Sequence, residues 1–300
     1  MIPFVRQFDF AYGRCDRVSP LIRRVVAENP GPFTFTGTGT YIIGRDGPGA
    51  GVAVIDPGPL DDAHLKALLS AVEGQTVSHV LVTHTHRDHA PLARPFAEAV
   101  GAPVLAARPP ARTIHASASL DEDDDETFAP DLILTGGERL QGDGWTLEAV
   151  ATPGHASNHM AFVLIEENAL FSGDHVMGWS TTVVAPPDGD MTDYMASLDE
   201  VIARDFTTVW PTHGAPITDV RPFLEAYRSH RLDREAQIMA RLEAGDRTIA
   251  DMVPTLYAAV DQRLWPAASL SVWAHLIALV RQGRADADPE PTLQARYRPV

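Results

Sequence analysis

The sequence predicts an α/β (α+β) fold, with a two-sheet core over residues 1–220 and a small helical domain over residues 221–300. Three observations carry this expectation. Short apolar runs alternate with helix-period stretches as far as residue 210, as in layered folds where helices pack on sheets. Beyond residue 218 the pattern turns helical. A chain of 300 residues can bury one large core and a smaller second one, and no repeat of fixed period divides it.

The first strand is expected at residues 39–44 and the second at 52–56. The Gly- and Pro-rich stretch between them reads as a turn, so the pair forms a hairpin. Residues 60–72 place Leu65, Leu68, Leu69 and Val72 on one helical face. Residues 79–83 form a short apolar run, the pattern of a buried strand. A helix at 90–100 and a strand at 103–106 follow. The acidic run at 121–126 has no ligand spacing for a cation, and it reads as a solvated loop. Strands resume at 132–134, 145–150, 161–165 and 169–171, then a helix at 191–203 and a strand at 208–210. Helices are expected at 222–243, 249–260 and 267–281, with Thr248 as a start signal and Gly283 as a stop.

Composition narrows the function classes. The formal net charge is −16, which opposes non-specific binding to nucleic acid because polyanions bind through Lys and Arg. From Pro222 onward ten Arg balance ten Asp plus Glu, so the whole excess lies in residues 1–221. The single cysteine, Cys15, cannot form an internal disulfide. That fits a reducing compartment, with Cys15 expected as a packing residue rather than a nucleophile. The first 24 residues carry scattered charges and no apolar core of signal-peptide length. No later stretch reads as an uncharged membrane span. The protein is therefore expected in the cytoplasm, without a membrane partner.

The densest chemistry lies in Thr83-His84-Thr85-His86-Arg87-Asp88-His89, directly after a predicted buried strand. Alternation along an extended chain points His84 and His86 the same way, so both imidazoles can reach one cation. The following turn can present Asp88 and His89 to a second. Imidazole nitrogen and carboxylate oxygen suit Zn²⁺, and also Fe or Mn. Three further candidates each sit just past a predicted strand, beside small or turn residues: His155, Asp174 and His213. Each alone is a weak signal. Their order and their shared place at strand ends make them a set.

This pattern, HxHxDH followed by H, D and H, resembles the metallo-β-lactamase superfamily over roughly residues 35 to 217. The resemblance implies an αββα sandwich with a dinuclear metal site on one edge. It implies that His84, His86 and His155 hold one ion, that Asp88, His89 and His213 hold the other, and that Asp174 bridges them. Two Zn²⁺ per chain are the expected cofactors. The stretches at 152–160, 170–183 and 190–198, with residues 229–238, resemble a subgroup that carries a C-terminal winged-helix-like domain and includes an endoribonuclease.

The implied chemistry is hydrolysis by a water shared between two ions about 3.5–4 Å apart, which lowers its pKa towards about 7. Asp88 and Asp174 are expected to orient that water and to offset the cationic charge. Asp56 either supports a ligand histidine or caps a turn. His159 and His175 could protonate a leaving group, but are expected in the wall or behind the ligands. By the subgroup resemblance Trp179, Ser180, Thr181, Thr182, Asp188, Asp190 and Tyr194 line or support the substrate cleft, with Trp179, Thr181 and Tyr194 assigned to substrate binding.

Other chemistries lack support, since the chain has no G-x-S-x-G elbow and no phosphate loop. The leading expectation is a hydrolase of a small or medium ester, thioester, lactone or phosphodiester. The alternative is a single-strand endoribonuclease with RNA as partner, and β-lactam hydrolysis is a weaker side activity. DNA binding is not expected, because the would-be recognition helix at 267–281 is largely apolar, with Leu270, Val272, Trp273, Leu276, Ile277, Leu279 and Val280. That helix is instead expected to be packed, with the tail covering the cleft or forming a homodimer contact.

Overall fold

The computed structural model describes residues 1–110, 125 and 127–300. All of the acidic run at 121–126 except Asp125 lies outside the described residues. Asp125 is partly buried and its backbone N–H donates to Thr85 O at 2.7 Å.

Two sheets form the core. The first contains β1 (Cys15–Arg17), β2 (Ile22–Val26), β3 (Gly39–Ile43), β4 (Gly51–Ile55), β5 (Thr76–Leu81), β6 (Val104–Ala107) and β7 (Leu132–Leu134), neighbours in chain order. Pairing is antiparallel from β1 to β4 and parallel from β4 to β7. Helices α1 (Asp62–Ala71) and α2 (Ala93–Val100) make the first two parallel crossovers. The second sheet has β8 (Arg139–Gly142), β9 (Trp145–Ala151), β10 (Met160–Leu164), β11 (Ala169–Gly173) and β12 (Thr208–Pro211), in the order β12-β11-β10-β9-β8. Only β11 and β12 pair in parallel, across α3 (Met191–Ala203).

Period-two alternation builds the layers. Tyr41 and Ile43 of β3, with Ala53 and Ile55 of β4, face the second sheet and meet Leu147, Phe162, Phe171 and Trp210. The alternate residues Ile42, Val52 and Val54 face outward onto Leu68 of α1 and Phe96 of α2. On the other side Ala161, Val163, Leu170 and Val209 pack under Tyr194, Leu198 and Val201 of α3. The result is the expected αββα sandwich.

The chain continues through α4 (Val220–Glu243), α5 (Ile249–Leu256) and α6 (Trp265–Arg281) to a hairpin of β13 (Ala285–Asp288) and β14 (Arg296–Pro299). This is the helix-rich, winged-helix-like domain expected from sequence, closed by a hairpin that the sequence reading did not place. Its core joins Ile238 and Leu242 of α4, Met252 and Val253 of α5, Val272, Leu276 and Leu279 of α6, and Tyr297 of β14. A capping box at Thr248 and Asp251 starts α5. The first half of α4 does something else. Phe223, Leu224 and Tyr227 belong to the core under the second sheet. One helix thus serves both hydrophobic cores. The segment Gln262–Arg281 is long and apolar enough to cross a membrane, with 56% of its most apolar window buried inside the fold. Ala274 and Ala278 of α6 reach the core beneath α3.

Five strands were not expected from sequence: β1, β2, β8, β13 and β14. The centre of β2 is Arg23-Arg24, both only 4% exposed. Arg23 donates to Ala71 O at 2.8 Å and Gln75 Oε1 at 2.7 Å, and Arg24 stacks over Phe8 at 4.5 Å. Their aliphatic stems lie on the sheet while their ends find partners. The alternating charges of β13 and β14 pair across the hairpin, Arg298 with Asp286. Cys15 is exposed on the edge strand β1, which corrects its expected role in packing.

At one rim the two sheets are joined directly. Gly39 N–H donates to Thr212 O at 2.8 Å, Tyr41 Oη donates to Pro211 O at 2.7 Å, and Met160 N–H donates to Thr83 O at 2.7 Å. The loops that leave this rim carry the residues described next.

Candidate metal centre

Seven side chains converge at the rim in two groups. In the first, His84 Nε2 lies 2.9 Å from His86 Nδ1, and His155 Nε2 lies 3.2 Å from the same atom. The second consists of Asp88, His89, Asp174 and His213. In each group the candidate ligand atoms lie within 4.8 Å of one another. All seven positions picked out from sequence are therefore brought together. They come from the loops after β5, β9, β11 and β12, where strands end at the same edge of the sandwich.

Four of the five histidines, His84, His89, His155 and His213, are fixed through their other nitrogen, whereas His86 faces the group through Nδ1. His89 Nδ1 donates to Asp56 Oδ2 at 2.8 Å, His155 Nδ1 donates to Val183 O at 2.6 Å, and His213 Nδ1 donates to Gly37 O at 3.2 Å. His84 Nδ1 lies 3.0 Å from Thr83 Oγ1, which itself donates to Asp56 Oδ2 at 2.8 Å. These partners set the tautomer and leave Nε2 facing the centre.

Asp56 is the hub of this support. It is fully buried, and besides His89 and the Thr83 hydroxyl it accepts Thr83 N–H at 2.7 Å and Thr212 Oγ1 at 3.2 Å. Of the two readings open from sequence, the geometry matches support of a ligand histidine. Its φ of +49° is left-handed, a region that Asp and Asn tolerate better than most residues. Thr83 and Thr212 were missed from sequence. The available signal was that a Thr precedes His84 and His213 directly.

His159 is buried behind the ligands. Its Nδ1 lies 2.7 Å from Thr152 Oγ1, and its Nε2 accepts the backbone N–H of Asp174 at 3.1 Å. It is thus a neutral ring that positions the Asp174 loop. His175 is also fully buried, its ring centroid 4.9 Å from that of Tyr194 and tilted by 52°, with neither ring nitrogen hydrogen-bonded among the described residues. Burial, then the charges of His155 and Arg231, push it down to about 3.

The expected cleft residues divide. Trp179 is half-buried and stacks on Phe35 at 4.7 Å over Gly214, next to His213. Thr181 is half-buried in the same loop. Tyr194 is corrected: it is fully buried and its hydroxyl donates to His175 O at 2.9 Å, because the helical spacing of α3 turns it into the core. Asp190 is corrected too, since it caps α3 by accepting Thr192 N–H at 2.7 Å. Thr182 is buried, and Asp188 accepts from Ser157 N–H at 2.8 Å beside His155. Ser180 donates to Thr181 O at 3.0 Å.

The donor set fits cations. In the first group three ring nitrogens crowd within hydrogen-bond distance. Burial, and then the neighbouring His89, His86 and His155, hold His84 well below its ordinary pKa. Burial, and then His86, lower His155 to about 4. These are neutral lone-pair donors. In the second group His213 Nε2 lies 3.0 Å from Asp88 Oδ2 and 3.4 Å from Asp174 Oδ1, and His89 Nε2 lies 3.6 Å from Asp174 Oδ1. None of His89 Nε2, His213 Nε2 and Asp174 Oδ1 makes a well-formed hydrogen bond among the described residues, although all are buried. Burial alone would lower His213, but Asp174 and Asp88 outweigh it and raise it to about 10. Burial alone would raise Asp88, but His89 and His213 outweigh it and hold it far below its usual range. Two carboxylates facing two histidines form a site that a divalent cation satisfies better than protons do.

Asp174 lies between the groups, with Oδ1 toward His213 and His89 and Oδ2 3.9 Å from His155 Nε2.

Comparison with known proteins agrees with this geometry. The family model of the metallo-beta-lactamase superfamily matches residues 34–213, and that of the beta-lactamase associated winged helix domain matches residues 248–291. The chain is similar to Lactamase-like protein adaB of Aspergillus niger, 31% identical over 281 residues that cover 86% of this chain and 81% of that one. It is also similar to an atrochrysone carboxyl ACP thioesterase of Aspergillus chevalieri, 32% identical over 257 residues, covering 82% of this chain and 76% of that one. A beta-lactamase domain protein from Burkholderia ambifaria shares the fold with a TM-score of 0.80 at 21% identity, over 100% of this chain and 97% of that one. The chain belongs to the metallo-beta-lactamase superfamily, as a hydrolase with an appended beta-lactamase-associated winged helix domain.

Proposed function

We propose that the protein is a dinuclear zinc hydrolase that cleaves a thioester. His84, His86 and His155 would hold one ion, Asp88, His89 and His213 the other, and Asp174 would serve both. When bound, two such ions acidify a shared water and polarise the substrate carbonyl. The residues of this chain hold the site's geometry and charge. Asp88 and Asp174 offset the cationic charge and accept hydrogen bonds from the attacking water. Asp56, Val183 and Gly37 hold the rings of His89, His155 and His213 with their Nδ1 protons engaged.

The observation that carries the thioester is the state of the two remaining histidines. His159 has both nitrogens committed, one to Thr152 and the other to the Asp174 N–H. His175 is enclosed by the fold, and burial keeps it neutral near pH 7. Neither serves as a general acid for a leaving group. A thiol with a pKa of about 8.5 departs as the thiolate without one, whereas an alkoxide demands a proton. In the reaction water oxygen bonds to the acyl carbon, the C–S bond breaks, and a carboxylate and a thiol result. The relatives named as acyl-carrier thioesterases support this reading. The net charge of −16 weighs against the RNA alternative.

The test couples metal analysis with a panel of matched thioester, oxygen ester, lactone, phosphodiester and RNA substrates. The expected result is two zinc equivalents and a thioester kcat/KM at least about 100-fold above the matched ester, the lower range of a missing general acid. A protein with fewer than two metal equivalents, or faster on RNA or ester, would overturn the reading.

A further inference from the structure

We infer that Tyr227 and Arg231 of α4 are positioning residues for the metal centre, acting through the backbone of residues 180–183. The inference rests on the reading that the three-histidine group holds an ion.

Residues 180–183 form a strap between the Asp174–His175 turn and the loop leading to α3. Three of its backbone groups are held by two side chains from one helix. Tyr227 Oη donates to Ser180 O at 3.0 Å and accepts Thr182 N–H at 2.6 Å. Arg231 Nη2 donates to Thr182 O. The next residue is Val183, whose carbonyl accepts the Nδ1 proton of His155 at 2.6 Å. The strap also reaches the other group. Thr182 Oγ1 donates to Asp174 O at 2.7 Å, with His175 O at 3.2 Å as a second acceptor. A chain of hydrogen bonds therefore runs from α4 through Thr182 and Val183 to His155 and Asp174.

The cost of this arrangement argues that it has a purpose. Arg231 is 4% exposed and has no carboxylate partner among the described residues. Its guanidinium lies over Tyr194 at 4.9 Å and Tyr227 at 5.9 Å, so it rests between ring faces and the Thr182 carbonyl. A buried cation without a counter-ion is poor at stabilising a fold, and an apolar side chain of similar volume would do that better. Here it holds a carbonyl one residue away from the group that sets a ligand's tautomer. Groups that orient metal-binding histidines typically change affinity 10–100-fold when removed.

The same helix builds the winged-helix core with Ile238 and Leu242. A shift of α4 relative to the sandwich would move Thr182 O and Ser180 O with it. The C-terminal domain is thereby coupled to the centre without contributing a ligand.

The experiment is a stepwise Zn²⁺ titration of the metal-free full-length chain against a chromophoric chelator, with wild type, Arg231→Met, Arg231→Lys, Tyr227→Phe and Leu242→Ala. Thermal melts are run in parallel. Tyr227→Phe keeps the ring and loses only the hydroxyl, so it serves where Arg231→Met fails to fold. Leu242→Ala destabilises the winged-helix core without touching the strap. The expected result is that Arg231→Met and Tyr227→Phe weaken at least one of the two binding steps at least tenfold, and that Arg231→Lys recovers part of the loss. Leu242→Ala should bind both ions as wild type does, although it melts lower. Unchanged affinities at both steps, or the same loss in Leu242→Ala, would each overturn the inference. A wild type that binds no ion pair would instead overturn the metal reading itself.

Discussion

Replacing Asp56 by Asn tests whether tautomer control, rather than mere packing, shapes the centre. The substitution is nearly isosteric, and Asn also tolerates the left-handed backbone at φ +49°. Four donors surround the carboxylate: Thr83 N–H on Oδ1, and the Thr83 hydroxyl, His89 Nδ1 and the Thr212 hydroxyl on Oδ2. An amide offers only one oxygen. Setting its NH₂ against Thr83 N–H opposes two donors that cannot turn. The amide therefore keeps its oxygen on Thr83 N–H and presents NH₂ to the others. Both hydroxyls can rotate to accept. His89 can accept only by moving its proton from Nδ1 to Nε2, which faces Asp88 at 3.4 Å and Asp174 at 3.6 Å. That proton occupies the lone pair a cation needs. The stability loss should be about 1–3 kcal/mol, the range for one disturbed buried partner. Affinity at the Asp88–His89–His213 site should fall about 10–100-fold. The assay is a zinc titration at pH 7 beside a denaturant melt. Wild-type affinity at both steps in Asp56→Asn would refute the tautomer argument.

Further outcomes follow from the same geometry. Asp174→Ala should lose at least one metal equivalent and most turnover, measured by elemental analysis and steady-state rates, whereas wild-type content and rate would refute its place between the ions. Zinc uptake by the metal-free chain should release about two protons at pH 7, because bound imidazole must be unprotonated while His213 sits at about 10 and His89 well above its ordinary value. Affinity should therefore rise with pH, and calorimetry in buffers of different ionisation heat counts the protons. His275, 2% exposed with both ring nitrogens unpaired among the described residues, is pushed by burial, then by Arg231 and Arg234, down to about 3. The unfolded chain then binds the extra proton as pH falls below about 6.5, so stability is lost through that window toward pH 3 at up to about 1.4 kcal/mol per pH unit. His275→Leu should flatten the acid slope, and an unchanged slope would count against it. Gly154→Ala should cost about 2 kcal/mol or more, since φ is +134° and a Cβ would meet the Tyr194 backbone at 2.3–2.4 Å. A melt within experimental error of wild type would contradict that.

The centre was legible because its chemistry is concentrated. Four ligand side chains within His84–His89, and single ligands beside Gly154, Gly173 and Gly214, leave a pattern in the chain itself. The two layers were legible wherever period two was clean, as in β3 and β4. Strand β2 was hidden because Arg23 and Arg24 read as solvent-facing until Ala71, Gln75 and Phe8 are placed around them. Tyr194 was assigned to the cleft because a loop resemblance carries no phase for the helix that follows. The roles of Asp56 and Arg231 depend on contacts 27 and 49 residues away, to Thr83 and Thr182. Local sequence holds no record of such pairings.

The bonds from Gly39 to Thr212, Tyr41 to Pro211 and Met160 to Thr83 act as a seam along the mouth of the sandwich. A seam there means that the layers breathe least where accuracy matters most. Amide protons of Gly39 and Met160 should be among the slowest to exchange with deuterium, despite lying at strand starts that would ordinarily fray. A cation arriving at this mouth meets groups already in place, and little of its binding energy is spent gathering them.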